Sequence, residues 1–262
     1  MLTLKEILAI FPKDREKKLL NIKRFSMFEV FFYRSSLWHH ELRVFFITNE
    51  LSKIAAGVLR RYNPDKARVL ALVHDDAEII TGDVQLGHKQ RMTTRQLQKV
   101  DEDEVKAIEE LSERFPENID GYSYKELLYH ALRKDCIEAK LVSYADKLDA
   151  YGESLHEVLG GNISALRAVI NYSIVIEGLK NKYSELGPLF KMDESPLINL
   201  DLHTDRWKVH WRNYQYLNSP HTQESIRRET EFSFYNKWKS IVLKNFGDEG
   251  VQILIQQREN LK

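Results

Sequence analysis

The sequence predicts an all-α fold, and three observations point to it. Apolar residues recur at spacings of three and four over several long segments, which is the pattern of amphipathic helices. We find neither the strong apolar/polar alternation of a half-buried strand nor an internal repeat or low-complexity tract. With 262 residues, 43% of them hydrophobic, the chain is long enough to bury a substantial core.

Six helical segments are predicted before residue 185. A short amphipathic helix at the amino terminus ends at Pro12. Five longer helices follow it, over Glu41–Arg60, Lys66–Ile80, Thr94–Phe115, Asp135–Leu159 and Ser164–Lys182. Asp65 is the predicted N-cap of Lys66–Ile80, and Gly160-Gly161-Asn162 is expected to end Asp135–Leu159.

The character of the chain changes after Gly187. The stretch Gly187–Gln223 contains three prolines and a cluster of aromatic residues, and Glu224–Lys262 reads as a last helix. The aromatic residues are Trp207, Trp211, Tyr214 and Tyr216. We expect them to pack or to form a subunit contact rather than to stack on a base. We therefore predict a core domain over residues 1–185 and a C-terminal extension, an aromatic-rich loop plus helix, over residues 186–262.

Charge and cysteine content narrow the function classes. The 39 Lys and Arg residues balance 39 Asp and Glu residues, so the basic excess of nucleic-acid-binding proteins is missing and no nucleic-acid partner is expected. No apolar run approaches the roughly 20 residues that cross a bilayer, so no membrane association is expected. The only cysteine, Cys136, excludes an intrachain disulfide and argues against a zinc site built from cysteines. This usage suits a reducing compartment and predicts a cytoplasmic location.

The stretch from Ala71 to Lys89 concentrates ionisable groups behind an apolar run. If the predicted helix continues to Ile80, then His74, Asp75 and Glu78 share an arc of about 100° on one face. A half-buried carboxylate is costly unless a cation, a metal or water compensates it. Imidazole and carboxylate together suit Mn, Fe, Co, Zn or Ni. The neighbouring Asp76 points away from this face, so we interpret it as a surface residue or one that lies behind the ligands.

One helix cannot close a metal site, so further ligands must come from elsewhere in the chain. His39 and His40 stand just before the first long helix, and either of them is a candidate. Asp146 lies in the middle of an otherwise apolar helix, where a lone acid is unexpected. The sequence thus predicts a divalent-metal site that includes His74, Asp75 and Asp146.

The ordered set His40, His74-Asp75 and Asp146 resembles the HD-domain metal-dependent phosphohydrolases. The longer pattern H-D-x-x-E-x-x-x-G-D, from His74 to Asp83, is similar to the YfbR-like 5'-deoxynucleotidase branch of that superfamily. The resemblance covers roughly residues 20–175. It implies an HD-domain helical bundle, a homodimer, and a divalent ion (Mn, Co, Fe, Ni, Zn or Mg) held by His40, His74, Asp75 and Asp146.

The implied chemistry is hydrolysis of a phosphate ester. Glu78 is positioned to take a proton from the attacking water or to orient that water. Asp83 would hold the substrate ribose or orient the water. Lys89 and Arg24 would neutralise the phosphate. The resemblance adds Phe25 as a substrate contact, and it implies a (deoxy)nucleoside 5'-monophosphate as the substrate.

Two other function classes stay open at this point. An HD hydrolase could act on another phosphate ester, such as a nucleoside triphosphate, a cyclic nucleotide or a signalling nucleotide. Alternatively, the helical scaffold could serve as a non-catalytic binding module. The intact set of ligand-type residues favours an enzyme over such a module.

Overall fold

The computed structural model describes residues 2–26, 35–159, 165–192, 194–195 and 197–199, and the statements below concern these residues. Helices dominate, which confirms the all-α prediction. They are α1 (Leu4–Ile10), α2 (Arg15–Asn21), α3 (Leu37–Val58), α4 (Pro64–Val73), α5 (Glu78–Thr81), α6 (Leu86–Lys89), α7 (Thr94–Arg114), α8 (Tyr124–Arg133), α9 (Ile137–Leu159), α10 (Leu166–Lys182) and α11 (Gly187–Phe190). A 3₁₀ turn, Ser184–Leu186, precedes α11.

Local capping chemistry explains where several helices begin. The Thr3 hydroxyl accepts from the amide of Glu6 and the Glu6 carboxylate accepts from the amide of Thr3, which forms a capping box on α1. Thr93 and Gln96 form the same motif on α7. The prediction that Asp65 caps the next helix is wrong. Asn63 caps α4 instead, because its side-chain oxygen accepts from two amides of the first turn, and Pro64 provides a preset first helical residue.

A two-stranded hairpin lies between α7 and α8. Strands β1 (Asn118–Ile119) and β2 (Tyr122–Ser123) pair in antiparallel register. The turn residues Asp120 and Gly121 have φ angles of 49° and 86°, as a tight hairpin turn with two left-handed residues requires. The Asp120 carboxylate accepts from the amide of Leu2 and from the Arg68 guanidinium, so this small hairpin joins the amino terminus to α4.

The chain divides into two compact units. The first comprises Met1–Arg24, Ser35–Asp146 and Tyr183–Lys191. Its centre is α3, which is buried over the whole of residues 37–48 and packs against α2, α4 and α11. In the second unit, Phe25, Ala150 and Ala168 form a small buried cluster.

Several sequence predictions lie outside the described residues. They concern the Gly160-Gly161-Asn162 stop, the aromatic cluster and the helix Glu224–Lys262. The boundary at residue 185 therefore stays a prediction. Across the described ranges, none of the helices combines the length and the apolar character that spanning a membrane requires.

Candidate metal site

The predicted helix Lys66–Ile80 is wrong in its continuity, because α4 ends at Val73 and α5 begins at Glu78. Over the turn between them, hydrogen bonds shorten to a spacing of three: the amide of Asp76 donates to the carbonyl of Val73 at 3.0 Å. The carbonyl of Leu72 instead accepts from the guanidinium of Arg15. His74 and Asp75 therefore stand on a tight turn, not on one helical face with Glu78.

The imidazole of His74 is oriented by its own helix end. Its Nδ1 donates to the carbonyl of Ala71 at 2.9 Å, which leaves the lone pair on Nε2. That Nε2 is buried and has no hydrogen-bond partner among the described residues, although Asp75 Oδ2 lies 3.4 Å away. Burial lowers the pKa of His74 despite the attraction of Asp75 and Asp146. A neutral imidazole with a fixed tautomer is the form that binds metal ions.

Three chain segments converge at this imidazole. His40 Nε2, from the start of α3, lies 3.3 Å from Asp75 Oδ2 and 3.3 Å from Asp146 Oδ1. One donor atom each of His40, His74 and Asp146 lies within 4.8 Å of the other two. Burial acts to raise the pKa of Asp75, but His74 and His40 outweigh it and hold that pKa below its usual range. Two imidazoles and two carboxylates are a donor set that fits a divalent transition metal.

The side chains of the two adjacent histidines, His39 and His40, have different contacts. His39 Nδ1 lies 2.8 Å from the hydroxyl of Ser36, within the same turn of α3. His40 is completely buried and faces Asp75 and Asp146. The geometry therefore favours His40 over His39 as the first candidate ligand.

Glu78 is the first residue of the short helix α5, and Asp83 follows the end of that helix. Burial and the negative charges of Asp75 and Asp83 raise the pKa of Glu78 well above its usual value. Its Oε2 is buried and lacks a hydrogen-bond partner in the part of the chain that the structure describes. Burial also raises the pKa of Asp83, while the Arg24 guanidinium opposes the rise. Gly82, with φ at 75°, ends α5 and directs the chain to Asp83.

The two predicted phosphate-binding cations differ in their surroundings. Arg24 is buried, and its Nη1 lies 4.0 Å from Asp75 Oδ2. Its positive charge also acts on Glu78 and Asp83, where it opposes the rise in the pKa of each carboxyl. Lys89 is more exposed and its Nζ lies 3.3 Å from Glu104 Oε1 on α7. Arg24 thus acts on all three carboxylates of the acidic cluster formed by Asp75, Glu78 and Asp83, whereas the charge of Lys89 acts on Glu78.

Phe25, the predicted aromatic substrate contact, has other neighbours. It packs with Ala150 and Ala168 in the second compact unit, and its ring centroid lies 6.2 Å from that of Tyr172. Its backbone is left-handed, with φ at 53°, which is unusual for a bulky residue. Its role as a substrate contact stays a prediction.

Next to the candidate metal ligands lies a buried network of charged side chains. Asp76 is completely buried, so its alternative interpretation as a surface residue is wrong. Arg15 donates to Asp76 and, at 2.8 Å, to Glu41, while the hydroxyl of Tyr124 donates to Asp76 at 2.9 Å. Burial raises the pKa of both Glu41 and Asp76, and Arg15 opposes it. The network ties α2, α3 and α8 to the turn that carries His74 and Asp75.

No sequence signal identified this network. Arg15 and Glu41 look like ordinary solvated helix residues in a chain with 30% charged residues. Only their position in the fold distinguishes them. One weak signal in the sequence could have suggested that Asp76 is buried. Asp76 follows the buried run from Val69 to Val73 by only three residues.

Comparisons with known proteins show which family the chain belongs to. The family described as "5'-deoxynucleotidase YfbR-like" matches residues 16–181, which is more than half of the chain. The 5'-deoxynucleotidase VP0926 of Vibrio parahaemolyticus is 29% identical over 130 residues, which cover 47% of this chain and 62% of that protein. The 5'-deoxynucleotidase of Cronobacter sakazakii is 28% identical over 141 residues, or 49% of this chain and 64% of that protein. The chain therefore spans a little under two thirds of the length of these two relatives.

A third relative and a solved structure extend the match. The 5'-deoxynucleotidase of Vibrio cholerae is 27% identical over 169 residues, which cover 62% of this chain and 81% of that protein. The crystal structure of the PH0347 protein from Pyrococcus horikoshii has a TM-score of 0.52 and 22% identity, covering 79% of this chain and 99% of that one, and it supports the fold alone. The resemblance to the YfbR-like branch is confirmed: this chain belongs to the YfbR-like 5'-deoxynucleotidase family.

Proposed function

We propose that this protein is a metal-dependent phosphohydrolase that converts (deoxy)nucleoside 5'-monophosphates to nucleoside and phosphate. One observation carries the proposal: donor atoms of His40, His74 and Asp146 converge from three chain segments, and the Nε2 atom of His74 among them is buried and lacks a hydrogen-bond partner among the described residues. The substrate class comes from the relatives, whose names describe them as 5'-deoxynucleotidases.

A divalent ion held by His40, His74, Asp75 and Asp146 would polarise a phosphate oxygen and lower the pKa of a bound water. The protein's own groups do the rest. Glu78 takes a proton from the attacking water, whose oxygen forms the new bond to phosphorus as the bond to the 5' oxygen breaks. The 5' oxygen leaves with the bonding electron pair and takes up a proton from solvent to become the hydroxyl of the nucleoside.

The remaining polar groups act on the substrate. Arg24 neutralises the phosphate from its position beside the acidic cluster, and Lys89 supplies a second positive charge after it leaves Glu104. Asp83 holds the sugar or orients the water. Such a contact to the sugar would give Asp83 a part in the choice between ribose and deoxyribose.

Phosphate release from a substrate panel tests the proposal. The protein is stripped of metal, resupplied separately with Mn, Co, Mg or Zn, and given nucleoside mono-, di- and triphosphates in ribose and deoxyribose forms. We expect metal-dependent release from monophosphates, and the panel identifies the preferred ion. Release only from triphosphates would replace this proposal with another HD hydrolase activity. No release from any substrate would favour a binding module.

We also propose an assembly, a location and a domain boundary for this protein. The family resemblance suggests a homodimer, so light scattering should give twice the chain mass of 30.9 kDa. The single cysteine suggests the cytoplasm, which cell fractionation tests. Limited proteolysis should cleave near residue 185 if residues 186–262 form a separate extension.

A further inference from the structure

A second group of metal-type side chains lies at the turn between α8 and α9. His130 is in the last turn of α8, and Asp135 and Cys136 directly precede α9. One donor atom of each lies within 4.8 Å of the other two. His130 Nδ1 is 2.5 Å from Asp135 Oδ1. A nitrogen, a carboxylate oxygen and a sulfur atom thus lie close together.

The local backbone brings these three groups together. Lys134 ends α8 in the left-handed conformation, with φ at 54°, and its amide donates to the carbonyl of His130 at 2.9 Å. This reversal returns the chain so that Asp135 lies beside His130. Cys136 then stands at the amino end of α9, where burial raises the pKa of its thiol and the amide of Ala139, which donates to the sulfur, opposes that rise.

We propose that His130, Asp135 and Cys136 bind a thiophilic divalent cation of the zinc class. Zinc takes this combination of nitrogen, oxygen and sulfur ligands, and three protein ligands leave a fourth position for water. The single cysteine argues against a cysteine-rich site, but a mixed site needs only one. The candidate site shares no residue with the cluster at His74 and, unlike it, contains sulfur.

Occupancy requires an exchange of protons for the ion. The Nδ1 proton of His130 moves to Nε2 by a change of tautomer, the thiol proton of Cys136 leaves to solvent, and the cation binds the freed nitrogen and sulfur. Two ligands of a tetrahedral zinc ion lie about 3.3 Å apart, so the contact between His130 and Asp135 must widen by somewhat less than about 1 Å. The side chains of His130 and Asp135 are 28% and 43% exposed, which leaves room for this movement.

The single cysteine makes a cobalt titration of the full-length, metal-stripped protein specific for this site. Any thiolate-to-cobalt charge-transfer absorption must come from Cys136, because the cluster at His74 offers only nitrogen and oxygen. We expect this near-ultraviolet band together with the strong visible bands of tetrahedral cobalt. Cys136→Ser should abolish the charge-transfer band, whereas His74→Ala should keep it.

Variants of the other two groups complete the test. His130→Gln and Asp135→Asn should each weaken zinc binding at Cys136 by at least about tenfold, measured by competition against cobalt. Circular dichroism checks that both variants retain the helical fold. Absence of the charge-transfer band in the unaltered protein would overturn the proposal. So would a band whose affinity is unchanged in both His130→Gln and Asp135→Asn, because the thiolate would then bind alone.

Discussion

The Nε2 atom of His40 lies 3.3 Å from Oδ1 of Asp146, which joins the start of α3 to the middle of α9. Asp75 approaches the same nitrogen at 3.3 Å from the turn after α4. Two carboxylates against one buried imidazole leave an excess of negative charge that a cation would offset.

Replacing His40 should remove the metal, whereas replacing His39 should not. We expect His40→Gln to weaken metal binding and to lower phosphate release by roughly 100-fold or more, because even outer partners of metal ligands cost about 10- to 100-fold when they are lost. His39→Gln is the matched control, since His39 contacts Ser36 instead. Elemental analysis and a phosphate assay measure both effects. Equal loss of metal in the two variants would contradict the assignment.

Glu78→Gln should separate turnover from metal binding. We expect metal content and melting temperature to be retained while kcat falls by about 10²- to 10⁴-fold, because the side chain no longer accepts a proton. Glu110→Gln is a suitable control, since Glu110 pairs with Arg114 on the exposed face of α7. Full activity in Glu78→Gln would exclude Glu78 as the base and favour a role confined to local structure.

Arg24→Met should weaken the interaction with the phosphate. A charge-assisted hydrogen bond contributes about 1.5–3 kcal/mol, so kcat/KM should fall roughly 10- to 100-fold, mainly through KM. Inhibition by inorganic phosphate should weaken in parallel. Lys89→Met should have a smaller effect because Lys89 pairs with Glu104.

The nearby exposed Lys23 provides the control for Arg24, because its Nζ donates to the carbonyl of Leu20. Lys23→Met should leave kcat/KM unchanged. If Arg24→Met and Lys23→Met behave alike, Arg24 does not contact the substrate phosphate.

Asp76→Ala should destabilise the fold strongly. Arg15 would then keep Glu41 as its carboxylate partner and lose Asp76, and Tyr124 would lose its acceptor. Removal of one member of a buried ion pair costs about 3–5 kcal/mol, which for a chain of this size lowers the melting temperature by roughly 10 °C. Calorimetry measures the change. Asp103→Ala, at an exposed pair with Lys99, should leave the melting temperature nearly unchanged.

Gly82→Ala and Gly57→Ala should change stability in opposite directions. Gly82 has φ at 75°, so alanine there is strained by about 1–2 kcal/mol and would displace Asp83. Gly57 lies within α3 with open space around it, and alanine should stabilise that helix by up to about 1 kcal/mol. Denaturant titration compares the two variants. A stabilising Gly82→Ala would show that this turn adapts to a side chain.

Much of the fold could be predicted from interactions between residues that are close in sequence. Apolar periodicity predicted most of the long helices, and their ends shifted by only a few residues, because amphipathic faces and capping groups act over single turns. Even so, α8 and the hairpin at Asp120-Gly121 were not predicted, although Asp-Gly is a strong turn signal. Each strand has only two residues, which is too short for an apolar/polar alternation to be recognised in the sequence.

The sequence by itself determined the all-α class, the family resemblance and the set of candidate ligands, because these depend on residue type and order along the chain. Only the tertiary structure decided that the helix breaks after Val73, that His40 rather than His39 faces Asp146, and that Arg15 holds Asp76 in the interior. Each of these outcomes depends on a partner distant in sequence. The spacing of apolar residues shows which face of a helix a residue occupies. It does not show which charged group from another part of the chain will contact that residue.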